Sequence, residues 1–437
     1  MNVPSLTRNP YRPRPEDDPA AGPFAGRERI FEQLYRAVTR PGGIPTTLIM
    51  GGPAMGKTAL LHRFGDVFGG ENLGVLLALQ RLPLLNERDW WVALATGITR
   101  SLVDHDYTLA RLPELLPPEE DIRAWFTESY LRPVMGVLRR GHRLLILLDD
   151  VDGLLAAVDA GRLPPDTLTF LNSLRGQYPT LGFVLTLDAR RDDLLPRLEP
   201  LLAPDLTDTA RLERLERDEV RWLMNEPVDR CYSITTDALD VIYRATGGFP
   251  RLCQRYGAQL YLRWQVRPER KIMEAEDARQ VTALVYPQSE AEFAAAWRGL
   301  PLDERLVLMA TSGLTYDDPL TAASPAAIQT WLAETDYPLE TTAIRAAIRG
   351  LEYAGWVEID GGKLRISSGL FQRWLLENAR PEATAAPVNR ARWPLLLAAV
   401  AIIALFIAGL LLLGQSTRPA ADSPAPTITL LAPSATP

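Results

Sequence analysis

The sequence predicts an α/β fold, a parallel sheet with helices on both faces, followed by smaller helical and mixed segments. The first observation behind this is an alternation. From Phe24 to about Pro204, the apolar runs Thr47–Met50, Leu73–Leu79, Leu144–Leu148 and Phe183–Leu187 are separated by stretches of helical periodicity. Strands apolar at nearly every position suit burial on both faces, which is the setting of a parallel sheet. The second observation is that Thr47–Met50 runs straight into the glycine-rich segment GGPAMGKT, Gly51 to Thr58, and then into a helical pattern.

Composition bounds the rest. At ~100–200 residues per domain, 437 residues make two to four domains. A 47% hydrophobic, 23% charged chain of net charge −7 has no footprint for a polyanion. The two cysteines, Cys231 and Cys253, exclude a disulfide framework and a zinc site and suit a reducing cytosol. His62, His105 and His142 share no metal-ligand spacing with them, and no GxSxG elbow occurs.

The segments follow in order. Residues 1–22 are polar and proline-rich, lack the apolar core of a signal peptide, and read as an extended leader. Residues 23–205 form the sheet domain. Residues 206–287 carry helix patterns without strand runs, including Arg217 to Asn225 and Thr236 to Arg244, and form a helical lid. In 288–380, helical patterns at 301–312, 324–334 and 340–354 precede two short strand-like runs, Trp356–Ile359 and Leu364–Ile366, joined by Asp360-Gly361-Gly362. That is hairpin chemistry, and the order resembles a winged-helix domain. Residues 381–393 are a linker. Leu395 to Leu413 is a 19-residue apolar run; at ~1.5 Å per residue it reaches across the ~30 Å bilayer core, so 394–414 is expected to be a transmembrane helix. Arg380, Arg390 and Arg392 precede it and only Arg418 follows, which puts residues 1–392 on the cytoplasmic side of the cell membrane. Residues 415–437 form a disordered tail.

GGPAMGKT between a strand and a helix is a phosphate-binding loop, or P-loop. Its backbone N–H groups, from Gly51, Gly52, Pro53, Ala54, Met55 and Gly56 onward to Ala59, bend around phosphate oxygens at a helix N-terminus, proline contributing conformation rather than a donor. Lys57 reaches the β- and γ-phosphates, and Thr58 offers its hydroxyl to Mg²⁺. The chain has only three lysines, Lys57, Lys271 and Lys363, so a chance match to the motif is a poor account of it. Leu144 to Asp150, LLILLDD, ends a buried strand in two carboxylates at the rim where nucleotides bind. Asp149 is the candidate for the Mg²⁺ shell and Asp150 for orienting or deprotonating the attacking water. The implied cofactors are ATP and Mg²⁺.

With these motifs the chain resembles the STAND ATPases and their AAA-type and origin-recognition relatives, over about residues 9–380. The resemblance includes NPYRP at Asn9–Pro13, FAGRERIFEQL at Phe24–Leu34, LTLDAR at Leu185–Arg190 and GGFPRL at Gly247–Leu252. It implies adenine-side roles for Phe24, Gly26, Arg27 and Pro250, and a nucleotide-sensor role, counted among the catalytic candidates, for Arg190 or Thr186. Read without the family, Gly26-Arg27 is a helix-entry turn, Arg190 a surface cation, and Gly247 to Pro250 a helix terminator. Many related motors carry Asp-Glu where this chain has Asp149-Asp150, and no arginine finger stands out. Both departures lean toward a switch rather than a motor.

The expected function is a membrane-tethered signalling switch that binds ATP and hydrolyses it slowly, with a protein partner and a nucleotide-dependent oligomer as candidate associations. The alternative is a DNA-binding initiator-like or regulatory ATPase. Residues 290–380 hold 13 acidic against 8 basic residues, which disfavours nucleic acid. A structural adaptor with a dead site is set aside because Lys57, Thr58, Asp149 and Asp150 are all present.

Overall fold

The computed structural model describes residues 9–11, 22–82, 85–118, 120–202, 209–316 and 321–380. Five parallel strands form the central sheet: β1 (Thr47–Gly51), β2 (Asn72–Ala78), β3 (Arg143–Asp149), β4 (Leu181–Asp188) and β5 (Thr209–Leu212), in the order β2-β3-β4-β1-β5. Alternate residues of the strands feed opposite cores. Leu48, Met50, Leu144, Ile146 and Leu148 pack with Trp90, Trp91 and Leu171 on one face, while Ile49, Leu145, Leu147 and Val184 face the other. This double burial explains the continuous apolar runs.

Register brings the chemistry to one rim. Gly51 lies opposite Asp188 and Ala78 opposite Asp149, so β1 ends level with β4 and β2 level with β3, with Asp149 beside Thr186 two residues before the end of β4. The turn after a parallel strand therefore opens onto a shared crevice.

β5 is a correction to the expectation that residues from 206 onward are purely helical: it pairs with β1, so the sheet continues to Leu212. Its four residues, TARL, include the exposed Arg211, too short and too polar a signal to read as a strand. The helices Arg217–Asn225, Thr236–Thr246 and Pro250–Val266 follow. The helix Ala275–Gly299 then runs through residue 287, where the sequence suggested a domain boundary, and carries Pro287 internally.

Beyond it come the helices Leu302–Leu314, Pro325–Glu334 and Thr341–Tyr353 and the antiparallel hairpin Val357–Asp360 with Lys363–Ile366. Gly361 and Gly362 both have positive φ, 55° and 77°, as a two-residue hairpin turn requires. A last helix, Gly369–Asn378, packs back onto this C-terminal domain, its Phe371 ring 4.3 Å from Trp356. One apolar cluster runs without a break from Ile49 and Leu147 through Leu252 and Tyr256 to Phe293 and Phe371.

Part of the expected leader is built in. Tyr11 is 1% exposed and its hydroxyl donates to the Met224 carbonyl, while Asn9 donates to the Ala258 carbonyl. A Cβ on Gly257 would lie 2.4 Å from the Tyr11 ring, so that glycine makes room for it. No helix among the described residues is long and apolar enough to cross a membrane. The expected linker 381–393, span 394–414 and tail 415–437 lie outside the described residues.

Candidate active site

The P-loop leaves β1 at Gly51 and enters the helix Lys57–His62. Ala54 and Gly56 take positive φ, 60° and 91°, which turns successive N–H groups inward. Lys57 Nζ donates to the carbonyls of Gly51 at 3.0 Å and Gly52 at 3.3 Å, so its ammonium lies across the mouth of the loop.

A hydrogen-bond chain joins the loop to two strands. Thr58 Oγ1 donates to Asp149 Oδ2 at 2.6 Å, and Thr186 Oγ1 donates to Asp149 Oδ1 at 2.6 Å. The Asp150 N–H in turn donates to Thr186 Oγ1 at 2.8 Å. Thr186 thus fixes both acids, a role visible only once β4 is known to lie beside β3. Asp149 is buried and Asp150 is held at φ 56°, a left-handed conformation that costs ~1–3 kcal/mol outside glycine and here aims the carboxylate at the crevice. Burial and the neighbouring Asp149 push the Asp150 carboxyl up to about 6, against the pull of Lys57.

Mg²⁺ takes hard oxygen ligands and keeps waters and phosphate oxygens in its shell. A hydroxyl and a carboxylate already 2.6 Å apart, Thr58 and Asp149, fit that donor set. Among the described residues no cluster of three or more His, Cys, Asp or Glu side chains could hold an ion by itself, so phosphate oxygens would complete the shell.

The loop opens on a cleft of about 1060 Å³ lined by Pro53 to Ala59, Asp150, Asp188, Pro250, Arg251 and Tyr11, among others. Pro250 is thereby brought to the same space as the P-loop, at the first turn of the helix Pro250–Val266. Phe24 and Gly26 line a different groove, of about 510 Å³, with Phe31 and Tyr35. Phe24 packs against Phe31 at 5.9 Å, and this aromatic contact draws it away from the cleft. Arg27 is buried behind the loop, where Nη2 donates to the carbonyls of Met55 at 3.2 Å and Glu213 at 2.7 Å. Its position ties the loop to the β5–lid connection. Arg190 does not line the cleft; its Nε and Nη2 bond to both oxygens of Asp188, which does.

Tyr11, Asp188, Arg251 and Arg255 were not legible as site residues. Arg251 and Arg255 sit one turn apart on the lid helix, and both pair with Glu292. Their helical spacing was the available signal, but only the fold turns that face to the P-loop.

Residues 23–186 match the AAA ATPase domain family. Solved structures share the fold beyond that segment. The Walker-type ATPase PABY2304 of Pyrococcus abyssi is 15% identical, over 84% of this chain and 99% of its own, with a TM-score of 0.57. The ORC2 protein of Aeropyrum pernix, solved as ADPNP and ADP complexes, is 14% identical over 80% of this chain and 93% of its own, with a TM-score of 0.53. Comparison with curated proteins gave no match.

The C-terminal domain presses on this site. A Cβ on Gly52 would lie 2.6 Å from the Ala354 carbonyl oxygen, and one on Gly355 would lie 2.3 Å from the Met55 side chain. The lid loop is held as well: a Cβ on Gly247 would meet the Ser367 carbonyl at 2.2 Å, and Phe249 stacks on Trp356 at 4.8 Å. Arg214 clamps the junction, donating to the Gly247 carbonyl and to Glu358 at 2.8 Å.

Proposed function

We propose that the protein is a STAND-type nucleotide switch in which the state of ATP–Mg²⁺ in the cleft sets how a winged-helix domain packs on the P-loop. The observation that carries this reading is the backbone contact between Gly52 and Ala354, which leaves no room for a side chain between loop and domain. A loop that must adapt to phosphate on one side and to a packed domain on the other gives a ligand differential contacts with two arrangements, as a population shift requires.

Within the cleft, Lys57 and the loop N–H groups would hold the phosphates, Thr58 and Asp149 would hold Mg²⁺, which would supply charge neutralisation, and Asp150 would orient the attacking water. Turnover is slow in this reading. Asp150 is one methylene shorter than glutamate, and a ~1 Å misplacement of a reacting group costs on the order of 10²-fold. Slow turnover gives long-lived nucleotide states, which suit a switch with a protein partner or a nucleotide-dependent oligomer.

The apolar run Leu395–Leu413 is proposed to tether the switch to the cell membrane, with residues 1–392 cytoplasmic. Full-length protein should sediment with membranes and resist extraction by high salt, and deletion of 393–437 should release it. Full-length protein found wholly in the soluble fraction would remove the tether from this account.

One observation favours a second reading, an initiator-like DNA-binding ATPase: Arg345 and Arg349 are both exposed, one turn apart, on the helix Thr341–Tyr353. The acidic balance of the domain opposes it. Anisotropy with random duplex DNA at physiological salt is expected to show binding no tighter than the ~10⁻⁴–10⁻⁶ M of non-specific complexes. A sub-micromolar, salt-sensitive complex would make DNA the ligand.

A further inference from the structure

The central sheet ends in β2 on one side and β5 on the other, and its two edges differ. β5 is four residues long and carries Arg211, whose guanidinium lies 4.5 Å from the Tyr353 ring, so it has the shortness and charge that guard an edge. β2 is seven residues of NLGVLLA, with no charge and no proline. Nothing in its sequence discourages another strand.

The direction of its backbone groups follows from one bond. The Arg143 N–H donates to the Glu71 carbonyl at 2.8 Å, so Leu73, Val75 and Leu77 turn their N–H and C=O groups to β3, and Gly74, Leu76 and Ala78 turn theirs away. Ser101 Oγ donates to the outward Gly74 carbonyl at 2.9 Å, which agrees with that phase. Leu76 is half-buried, and among the described residues no strand lies beyond it to pair with its N–H and C=O.

This edge runs along a groove of about 1030 Å³. The helix Glu87–Asp104 forms one wall, packed so closely that a Cβ on Gly97 would come 3.1 Å from Val75 and 3.2 Å from Leu77. Ala93, Thr96 and Gly97 keep that wall low, and His62 stands on the other side. What the edge lacks is a backbone alongside at the ~4.8 Å spacing of paired strands, which a helix, having bonded its own backbone internally, does not offer. Charge adds a second requirement. The groove has acids at its two ends, Asp104 and the pair Asp149 with Asp150, while Arg100 lies between the levels of Gly97 and Ser101, exposed and without an ion pair among the described residues.

We propose that the free edge of β2 takes an extended, acidic segment of a partner protein as a sixth strand, with a carboxylate of that segment on Arg100. Thr58, Asp149 and Asp150 line the same groove, so the end of the added strand nearest Ala78 lies beside the P-loop helix. The site is independent of what the cleft beside it binds.

The test uses full-length protein in mild detergent, without nucleotide, and short labelled peptides of alternating valine and threonine with one glutamate placed at each position in turn. A matching series carries lysine. Anisotropy should show saturable binding of a glutamate peptide in preference to its lysine counterpart. Hydrogen exchange should slow at the outward amides of Leu76 and Ala78, while those of Val75 and Leu77, already turned to β3, stay as they were. Leu76→Pro removes an outward N–H and no β2–β3 bond, a change an edge strand tolerates, and should weaken binding roughly tenfold. Arg100→Glu, at an exposed position, should weaken the glutamate series about fivefold and turn the preference to lysine, exposed ion pairs being individually modest.

No binding by any glutamate peptide at millimolar concentration overturns the proposal, and so does binding indifferent to both substitutions. Dimerisation abolished by Leu76→Pro, in place of peptide binding, would make a second copy the occupant and overturn it as well. If Leu76→Pro does not fold, Arg100→Glu and the exchange pattern decide.

Discussion

Gly52→Val should drive the C-terminal domain off the P-loop. The added Cβ would lie 2.6 Å from the Ala354 carbonyl oxygen and 3.0 Å from its Cα and carbonyl carbon. All three are backbone atoms, so no rotamer change relieves the clash. The φ of Gly52 is not in the left-handed region, so the effect is steric rather than conformational. Overpacking of this kind costs about 1–3 kcal/mol where a site can partly yield, and two backbones in contact yield little. The expected result is a lower denaturation midpoint together with protease cleavage appearing between the lid and residue 380. Gly65→Ala is the control, because nothing lies within 4 Å of a Cβ there. Unchanged stability and unchanged cleavage in Gly52→Val would show that the loop and the domain are not packed as described.

Lys57→Ala should abolish ATP binding. The ammonium spans the mouth of the loop, 3.0 Å and 3.3 Å from two of its carbonyls, and would turn to phosphate oxygens on nucleotide binding. Hydrogen bonds to charged groups contribute ~1.5–3 kcal/mol each, and losing two is worth on the order of 10²-fold or more in affinity. Asp150→Asn is the contrast. Thr58 and Asp149 still offer the metal its ligands, so binding should persist while single-turnover hydrolysis slows. Calorimetry on Lys57→Ala showing wild-type affinity would remove the site assignment, and hydrolysis indifferent to Asp150→Asn would give the water to another residue.

The four long strands and the P-loop were legible in the sequence because their signals are local: an apolar run, a glycine pattern, a lysine scarce elsewhere. β5 was not, since TARL owes its strand conformation to β1 beside it and carries little pattern of its own. In the site, Asp149 and Thr58 could be named from spacing alone, yet Thr186 joins them only through the neighbouring strand. Arg27 and Phe24 show the opposite case. Their segment was found, but their side chains are turned by the Met55 and Glu213 carbonyls and by an aromatic cluster, which no short-range pattern records.

The helix Ala275–Gly299 has a mechanical consequence. Its 25 residues, at ~1.5 Å each, make a rod ~37 Å long, rooted at one end among the lid helices and at the other beneath the C-terminal domain. Tilting such a rod by ~10° at one end would carry the other ~6 Å, so a modest rotation of the lid would become a large stroke. Pro287 is the thirteenth of the 25 residues, and its missing N–H withdraws one rung of the hydrogen-bond ladder at the midpoint. The lever therefore carries its own elbow, at the point where compliance would decide whether torque from the lid is transmitted or absorbed.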